Sequence, residues 1–150
     1  MPIRCEIVSQ DRMVFEGDVD ILVAPGSAGE MGILPNHAPL LATLDFGVIK
    51  VRYQAQEEDF TVAGGIIEVQ PTIVTILADA AENVREIDTA RAEAAKERAE
   101  KCLAEGPPPD TDAYIKMEAD LRRSKLRLDA VRRYRGTRSQ FSSILDDTHS

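Results

Sequence analysis

Apolar runs in the first 80 residues are short, and polar or turn-forming residues separate them. Residues 19–23 and 40–44 are mostly apolar, whereas residues 48–53 alternate between apolar and polar side chains. Two further apolar runs, at residues 66–69 and 73–77, close the series. Short strands at this spacing, with no helical period between them, predict an antiparallel sandwich or barrel.

Glycines interrupt these runs at two places. Residues 26–32 contain Gly26, Gly29 and Gly32, and we interpret them as a loop that follows the stop signal Pro25-Gly26. Gly64-Gly65 indicates a hairpin or a bulge, because glycine accepts positive φ angles without steric cost.

The periodicity changes after Asp79. Residues 88–105 are rich in the helix formers Ala, Glu, Lys and Arg, and Asp88 is placed to cap the helix N-terminus. Spacings of three and four residues group small side chains on one predicted face, formed by Ala92, Ala95, Ala99 and Cys102. The Gly-Pro-Pro-Pro sequence at residues 106–109 ends this helix, because no helix continues through it.

A second helix is predicted from Asp110, with Gly136 as its stop. Its apolar stripe has a serine in the middle place and consists of Tyr114, Met117, Leu121, Ser124, Leu128 and Val131. Two helices joined by a tight linker predict a helical hairpin. Because alanine buries little area, opening this hairpin should cost little free energy, which suggests a conformational switch. A permanently folded hairpin is the alternative.

The predicted fold is therefore mainly β plus α, with an N-terminal antiparallel β-sandwich followed by a C-terminal two-helix hairpin. We expect the sandwich at residues 1–84 and the hairpin at residues 85–136. A polar tail follows at residues 137–150, and its terminal position is typical of mobile segments.

Charge is unevenly distributed in this chain of 150 residues with a formal net charge of −8. Residues 1–87 carry five Lys/Arg against fourteen Asp/Glu, whereas residues 88–150 carry thirteen against twelve. An acidic sandwich is a poor nucleic-acid binder, because phosphate contacts need basic residues. The basic side chains concentrate in one stretch, at Arg122, Arg123, Lys125, Arg127, Arg132, Arg133, Arg135 and Arg138. This stretch suits an acidic partner, a nucleotide or water.

The two cysteines, Cys5 and Cys102, are far apart in the sequence and indicate neither a disulfide framework nor a metal site. We therefore expect the protein to reside in a reducing cytoplasm. A signal peptide is not visible, and no apolar run reaches the roughly 20 residues of a membrane-spanning helix. Any work at a membrane would then depend on docking to membrane proteins.

Catalytic motifs are missing from the sequence. It contains no HExxH, GxSxG, P-loop or Rossmann pattern, and its histidines are His37 and His149. The glycine-rich residues 26–32 lack the Lys-Ser/Thr that completes a phosphate-binding loop. We therefore predict no catalytic residue and no metal site, although a small enzyme using Cys5 or His37 is an alternative.

Three segments resemble the epsilon subunit of bacterial F-type ATP synthases. GSAGEMGILPNHAPLL at residues 26–41 is the most specific of them, and GGIIEV at residues 64–69 and VTILAD at residues 74–79 follow in the family's order. The resemblance covers roughly residues 2–135. The prolines at residues 107–109 and the tail after Gly136 depart from the family's usual, shorter pattern.

The resemblance implies a non-catalytic rotor subunit of the central stalk, which links the gamma subunit to the ring of c subunits on the cytoplasmic face of the bacterial plasma membrane. The family's c-ring contact corresponds to Gly29, Glu30, Met31 and Gly32. Its gamma contact corresponds to Asn36, His37 and Ala38. A solvated loop carboxylate is the alternative for Glu30, and a packed turn histidine is the alternative for His37.

The resemblance also implies that the C-terminal helices regulate ATP hydrolysis. In family members they can extend into the alpha/beta catalytic head, where the basic residues 122–135 would meet acidic loops. A motif that resembles the ATP-binding segment of some epsilon subunits consists of Ile87, Asp88, Arg91 and Ala92, with Glu82 before it and Arg123 and Arg127 facing it. No cofactor is required, and ATP would be a regulatory ligand that clamps the folded hairpin. The alternatives are an ordinary N-cap at Asp88 and a free-standing nucleotide sensor.

Overall fold

The computed structural model describes residues 2–10, 12–106 and 110–135. The chain forms two compact units, of which the first ends at Val84 and the second begins at Arg85. The prolines at residues 107–109, the predicted helix stop at Gly136 and the tail at residues 137–150 lie outside the described residues.

Eight strands form the described part of the first unit: β1 (Ile3–Ser9), β2 (Arg12–Val19), β3 (Ile21–Gly26), β4 (Gly29–Ile33), β5 (Leu40–Tyr53), β6 (Gln56–Val69), β7 (Ile73–Ala78) and β8 (Ala81–Asn83). Their order is β2-β1-β7-β6-β5-β3-β4, and β8 pairs with β6. Only β1 and β7 run parallel among these pairs. The predicted sandwich is confirmed, and the parallel pair is possible because a long stretch of chain separates its two strands.

The inner face of the sheet carries the apolar core. Alternation along β1 buries Ile3, Cys5 and Ile7, and the same pattern in β7 buries Val74, Ile76 and Ala78. The sheet folds over so that β2 approaches β5, and the Phe15 ring lies 5.8 Å from Tyr53 and 5.5 Å from Phe60 between ring centroids. These aromatic contacts help to close the two layers over one core.

Two of the predicted turns differ in the structure. Residues 26–32 are not one loop, because β3 continues to Gly26 and β4 begins at Gly29, which leaves a two-residue turn. Gly29 permits this tight hairpin by adopting φ 133°. The pair Gly64-Gly65 has the predicted positive φ angles, 83° and 139°, but lies inside β6 and forms no hairpin. A Cβ on Gly65 would lie 2.4 Å from the carbonyl oxygen of Leu77, so glycine here allows β7 to approach.

The second unit starts within a 3₁₀ turn (Val84–Glu86) and continues into α1 (Thr89–Ala104), α2 (Thr111–Ala130) and a π-helical turn (Val131–Arg135). Asp88 caps α1 as predicted, because its Oδ1 accepts a hydrogen bond of 3.1 Å from the backbone N–H of Arg91. Asp110 caps α2 in the same way, with a 3.0 Å bond from Asp112 N–H. None of the helices in the described part of the chain has the length and apolar character that a bilayer crossing requires.

The two helices pack against each other, and small residues are buried on both. Ala92 and Ala99 of α1 are buried, as is Ser124 of α2, whose hydroxyl donates to the carbonyl of Asp120 at 3.0 Å. The prediction for Cys102 is wrong, since this residue is exposed while Leu103 is half-buried. At 100° per residue, position 103 lies about 20° from Ala92 around the helix and position 102 lies about 80° away.

Candidate functional site

The first candidate surface is the edge strand β4, which holds the predicted residues Gly29, Glu30, Met31 and Gly32. β4 is the last strand in the sheet order and pairs only with β3 in the described chain. Gly29, Glu30 and Gly32 are exposed, whereas Met31 is half-buried and packs against the core. The four residues therefore present one carboxylate and two bare backbone positions on a strand that Met31 anchors.

The turn before β4 is fixed to the neighbouring strand. Ser27 N–H donates to the Thr43 carbonyl at 3.0 Å, and the Thr43 hydroxyl donates to Ser27 Oγ at 2.9 Å. These two bonds tie the tip of the β3–β4 hairpin to β5. The edge surface is thus carried by an ordered turn, which suits docking to a partner.

The second candidate surface is the segment between β4 and β5, which contains Asn36, His37 and Ala38. His37 N–H donates to the Leu34 carbonyl at 3.2 Å, and Asn36 has φ 62° after Pro35, which is the pattern of a type II turn. Asn36 N–H also donates to the Pro71 carbonyl at 3.1 Å. The turn is therefore hydrogen-bonded to the segment that follows β6 in the chain.

The imidazole of His37 lies over its own backbone. Its Nδ1 is 2.8 Å from the carbonyl oxygen of Ala38. A carbonyl oxygen can only accept, so Nδ1 is the donor in this contact. On either side of His37 in the sequence, Leu34 is 55% exposed and Leu41 is 70% exposed, so the segment presents apolar side chains together with one imidazole.

A third surface was not predicted from the sequence. Residues that face each other in successive strand pairs form an outer apolar row across four strands, made of Met13, Val8, Leu77 and Ile66. Leu77 is 53% exposed, and Met13 and Ile66 are each 46% exposed. Thr43 of β5 continues the row, and Leu41 lies two residues away on the same face.

The sequence contains a signal for this row. Ile66-Ile67 and Ile76-Leu77 are adjacent apolar pairs inside strands, and alternation requires one member of each pair to point outward. Ile67 and Ile76 are buried, so Ile66 and Leu77 take the outer positions. In the next row on this face, three of the five residues are acidic, since pairing aligns Leu41, Glu68, Thr75, Glu6 and Glu16 there. The Arg4 guanidinium bridges the last two carboxylates.

The residues of the predicted nucleotide site are divided between the two units. Glu82 lies in β8 of the first unit, where its carbonyl accepts a 3.4 Å bond from the Thr61 hydroxyl. At the start of α1, Ile87 and Ala92 are buried, while Asp88 and Arg91 are exposed. The structure therefore brings this four-residue motif together around one helix N-terminus, with the Asp88 side chain engaged as a cap.

The remaining two residues, Arg123 and Arg127, lie one turn apart on α2. Residues at this spacing share one face of a helix, so both guanidinium groups can meet one ligand. Arg123 Nη1 lies 3.9 Å from Asp120 Oδ1. Further along, Arg132 and Arg133 both contact Asp129, at 2.8 Å and 3.2 Å.

A nucleophilic role for Cys5 finds no support in its surroundings. The thiol is buried in the core, and this burial, together with the neighbouring Glu6 charge, raises its pKa to about 12 against the opposing effect of Arg4. Among the described residues, no three His, Cys, Asp or Glu side chains are arranged to hold a metal ion.

Comparison with known proteins gives one consistent result. A family profile described as "ATP synthase, Delta/Epsilon chain, beta-sandwich domain" matches residues 2–84, and one described as "ATP synthase, Delta/Epsilon chain, long alpha-helix domain" matches residues 85–132. The chain is 44% identical over 133 residues to an ATP synthase epsilon chain of Dehalococcoides mccartyi, covering 89% of this chain and 94% of the relative. It is 52% identical over 101 residues to that of Pelotomaculum thermopropionicum, covering 67% and 75%.

The fold is also similar to a chain in a solved assembly. A chain in the Euglena gracilis mitochondrial ATP synthase, from a structure of OSCP, F1 and c-ring in rotational state 1, superposes with a TM-score of 0.65 at 26% identity. The match covers 80% of this chain and 75% of that one.

Proposed function

The chain belongs to the Delta/Epsilon chain family of ATP synthase, and we propose that it serves as a non-catalytic rotor subunit whose sandwich joins the gamma subunit to the c-subunit ring. The observation that supports a docking role most directly is the outer apolar row on the sandwich. Soluble monomers rarely expose contiguous apolar surface unless a partner covers it. The similar Euglena chain comes from an assembly that includes F1 and the c-ring.

We assign the gamma subunit to the turn at Asn36, His37 and Ala38 and to the outer apolar row. The turn precedes β5, and Leu41 at the start of β5 lies on the same face as Ile66 and Leu77. Turn and row therefore offer a surface that combines apolar side chains with the imidazole of His37. A rigid sheet is a suitable base for this joint, because a rotor connection must carry torque.

We assign the c-subunit ring to the edge strand at Gly29, Glu30, Met31 and Gly32. The support is the exposure of three of these residues on a hairpin that Ser27 and Thr43 hold in place. A cytoplasmic-face, peripheral position on the bacterial plasma membrane follows from this assignment, with membrane contact only through the complex.

The C-terminal helices are proposed to regulate ATP hydrolysis by extending into the alpha/beta catalytic head. Support comes from the small residues Ala92, Ala99 and Ser124 at buried positions, since they bury less apolar area than leucine or isoleucine would. A hairpin held in this way opens at modest cost in free energy. The exposed arginines of α2 then meet acidic loops of the head, and opposite charge steers the encounter.

ATP is proposed as the ligand that holds the hairpin closed. The support is that Arg123 and Arg127 lie one turn apart on α2, a spacing that suits phosphate oxygens, and that Asp88 and Arg91 lie together at the N-terminus of α1. Ile87 and Ala92 complete the proposed set within the second unit, whereas the predicted residue Glu82 belongs to the first unit. A ligand that binds only the closed hairpin shifts the population toward it and opposes the inhibitory form.

Affinity capture tests the rotor assignment. The tagged chain is captured from solubilised membranes of its host, and mass spectrometry identifies the co-purifying proteins. We expect the gamma subunit, the catalytic head and the c ring, and a complex that lacks residues 88–150 should hydrolyse ATP faster than the intact one. A folded, abundant chain that captures none of these subunits would contradict the proposal and favour a free-standing nucleotide sensor.

A further inference from the structure

Two aspartates lie among the arginines of α2 and the π-helical turn that follows. Asp120 Oδ1 is 3.9 Å from Arg123 Nη1. Asp129 uses both carboxylate oxygens, with Oδ1 at 2.8 Å from Arg132 Nη2 and Oδ2 at 3.2 Å from Arg133 Nε. Three guanidinium groups of the basic stretch therefore have carboxylate partners within the same helical segment.

Asp129 interacts with two arginines of its own helical segment. It is the penultimate residue of α2, and the helical backbone continues beyond it through the π-helical turn (Val131–Arg135). Aspartate is a weak helix former, and exposed ion pairs of this kind contribute little to stability. What the carboxylate does achieve is to neutralise charge in the basic stretch and to orient two guanidinium groups.

We propose that Asp120 and Asp129 are internal counter-ions that lower the affinity of the basic segment for an acidic polypeptide surface and thereby set the strength of inhibition. The proposal rests on the proposed function, in which α2 meets acidic loops of the catalytic head. When such a loop arrives, its carboxylates compete with Asp129 for Arg132 and Arg133. Binding therefore requires exchange of an ion pair inside the helix for one across the interface.

The spread of these charges favours a polypeptide over a nucleotide as the ligand. From Arg123 to Arg133 the segment covers about 15 Å of helix axis, which suits an extended acidic surface. Arg132 and Arg133 also lie outside the proposed nucleotide site. Asp129 should therefore influence binding to the head and leave ATP binding unchanged.

The test compares full-length variants as inhibitors of ATP hydrolysis by catalytic head from which this subunit has been removed. Asp129→Asn should lower the half-inhibitory concentration about two- to fivefold at physiological salt, because it removes a competing exposed ion pair. Asp120→Asn should act more weakly, since its pair is longer. The difference between variant and parent should shrink at 0.5 M salt.

Asp112→Asn is the matched control. It makes the same charge change in the first turn of α2, about 15 Å along the axis from Arg122, beyond the screening length at physiological salt. Its inhibition curve should overlay that of the parent chain. An equal gain from Asp112→Asn and Asp129→Asn would overturn the proposal in favour of a net-charge effect.

The double variant Arg132→Ala/Arg133→Ala separates the proposed contact with the catalytic head from the counter-ion role of Asp129. If this variant inhibits as well as the parent, the proposed contact with the head is wrong. If it loses inhibition while Asp129→Asn gains none, the contact stands and the counter-ion role is overturned. Calorimetry with ATP completes the test, because a gain in ATP affinity for Asp129→Asn without a gain in inhibition would assign the counter-ion to a nucleotide.

Discussion

Gly47 of β5 lies directly against the pyrrolidine ring of Pro25 in β3. A Cβ atom added to Gly47 would approach Pro25 Cβ at 2.7 Å and Cγ at 2.9 Å. The proline ring is rigid, so an extra methyl group can be accommodated only by a shift of one strand. This contact lies close to the β3–β4 hairpin that carries the proposed c-ring surface.

Gly47→Ala should therefore destabilise the sandwich by about 1–3 kcal/mol, as overpacking does in other cores. Urea unfolding followed by far-ultraviolet circular dichroism measures this change. Gly32→Ala is the control, because nothing lies within 4 Å of its added Cβ. Adding Pro25→Ala to Gly47→Ala should recover part of the loss, and a purely additive double variant would argue against the contact.

The two cysteines should differ in reactivity toward a thiol reagent at pH 8. Cys102 is exposed and should react at once, whereas Cys5 is buried with its pKa raised to about 12 by that burial and by Glu6. One thiol per chain should titrate in the folded state and two in denaturant. Rapid modification of both thiols without denaturant would show that the core around Cys5 opens readily.

The same thiol predicts a pH dependence of stability. The ordinary pKa of the thiol is 9.0, so between pH 9.0 and about 12 the unfolded chain loses a proton that the folded chain keeps. The free energy of unfolding should then fall with rising pH, by up to about 1.4 kcal/mol per pH unit from this group. Cys5→Ala removes this contribution, so its stability should decline less steeply above pH 9 than that of the parent chain.

The double variant Ile66→Ser/Leu77→Ser should weaken capture of the gamma subunit at least tenfold with little change in folding. Both side chains are half-exposed members of the outer apolar row. Removing them therefore reduces mainly the apolar area that is buried when gamma binds. Ile115→Ser is the matched control, since Ile115 is 57% exposed but lies on α2. Surface plasmon resonance with immobilised gamma measures the affinities. Equal weakening by the control would mean that the row is not the docking surface.

Replacing both Arg91 and Arg127 with Ala should abolish most of the heat of ATP binding in calorimetry with the full chain. Loss of two charge-assisted hydrogen bonds should lower the affinity about tenfold or more. Arg122→Ala is the control, because residue 122 points about 100° away from residue 123 around α2. No heat from the parent chain at millimolar ATP, or unchanged binding by the double variant, would exclude the proposed nucleotide clamp.

The sequence by itself determined the division into sheet and helices. Alternation at residues 48–53 and the change to Ala-, Glu- and Lys-rich periodicity after Asp79 are local signals, and local signals report directly on strand and helix. The Asp88 cap and the buried place of Ser124 also follow from local chemistry and helical period. Motif resemblance then identified the family, because order and spacing of segments are properties of the sequence.

Tertiary structure alone decided which apolar residues face outward. A sequence pattern does not distinguish Ile66 from Ile67. Only pairing with β5 and β7 places Ile67 in the core and Ile66 in the outer row. Met13, Val8 and Leu77 join that row from strands that are distant along the chain. The same holds for Gly47 and Pro25, whose contact depends on strand register. Such relationships are non-local, since they arise only when separate strands are brought together, and no local pattern records them.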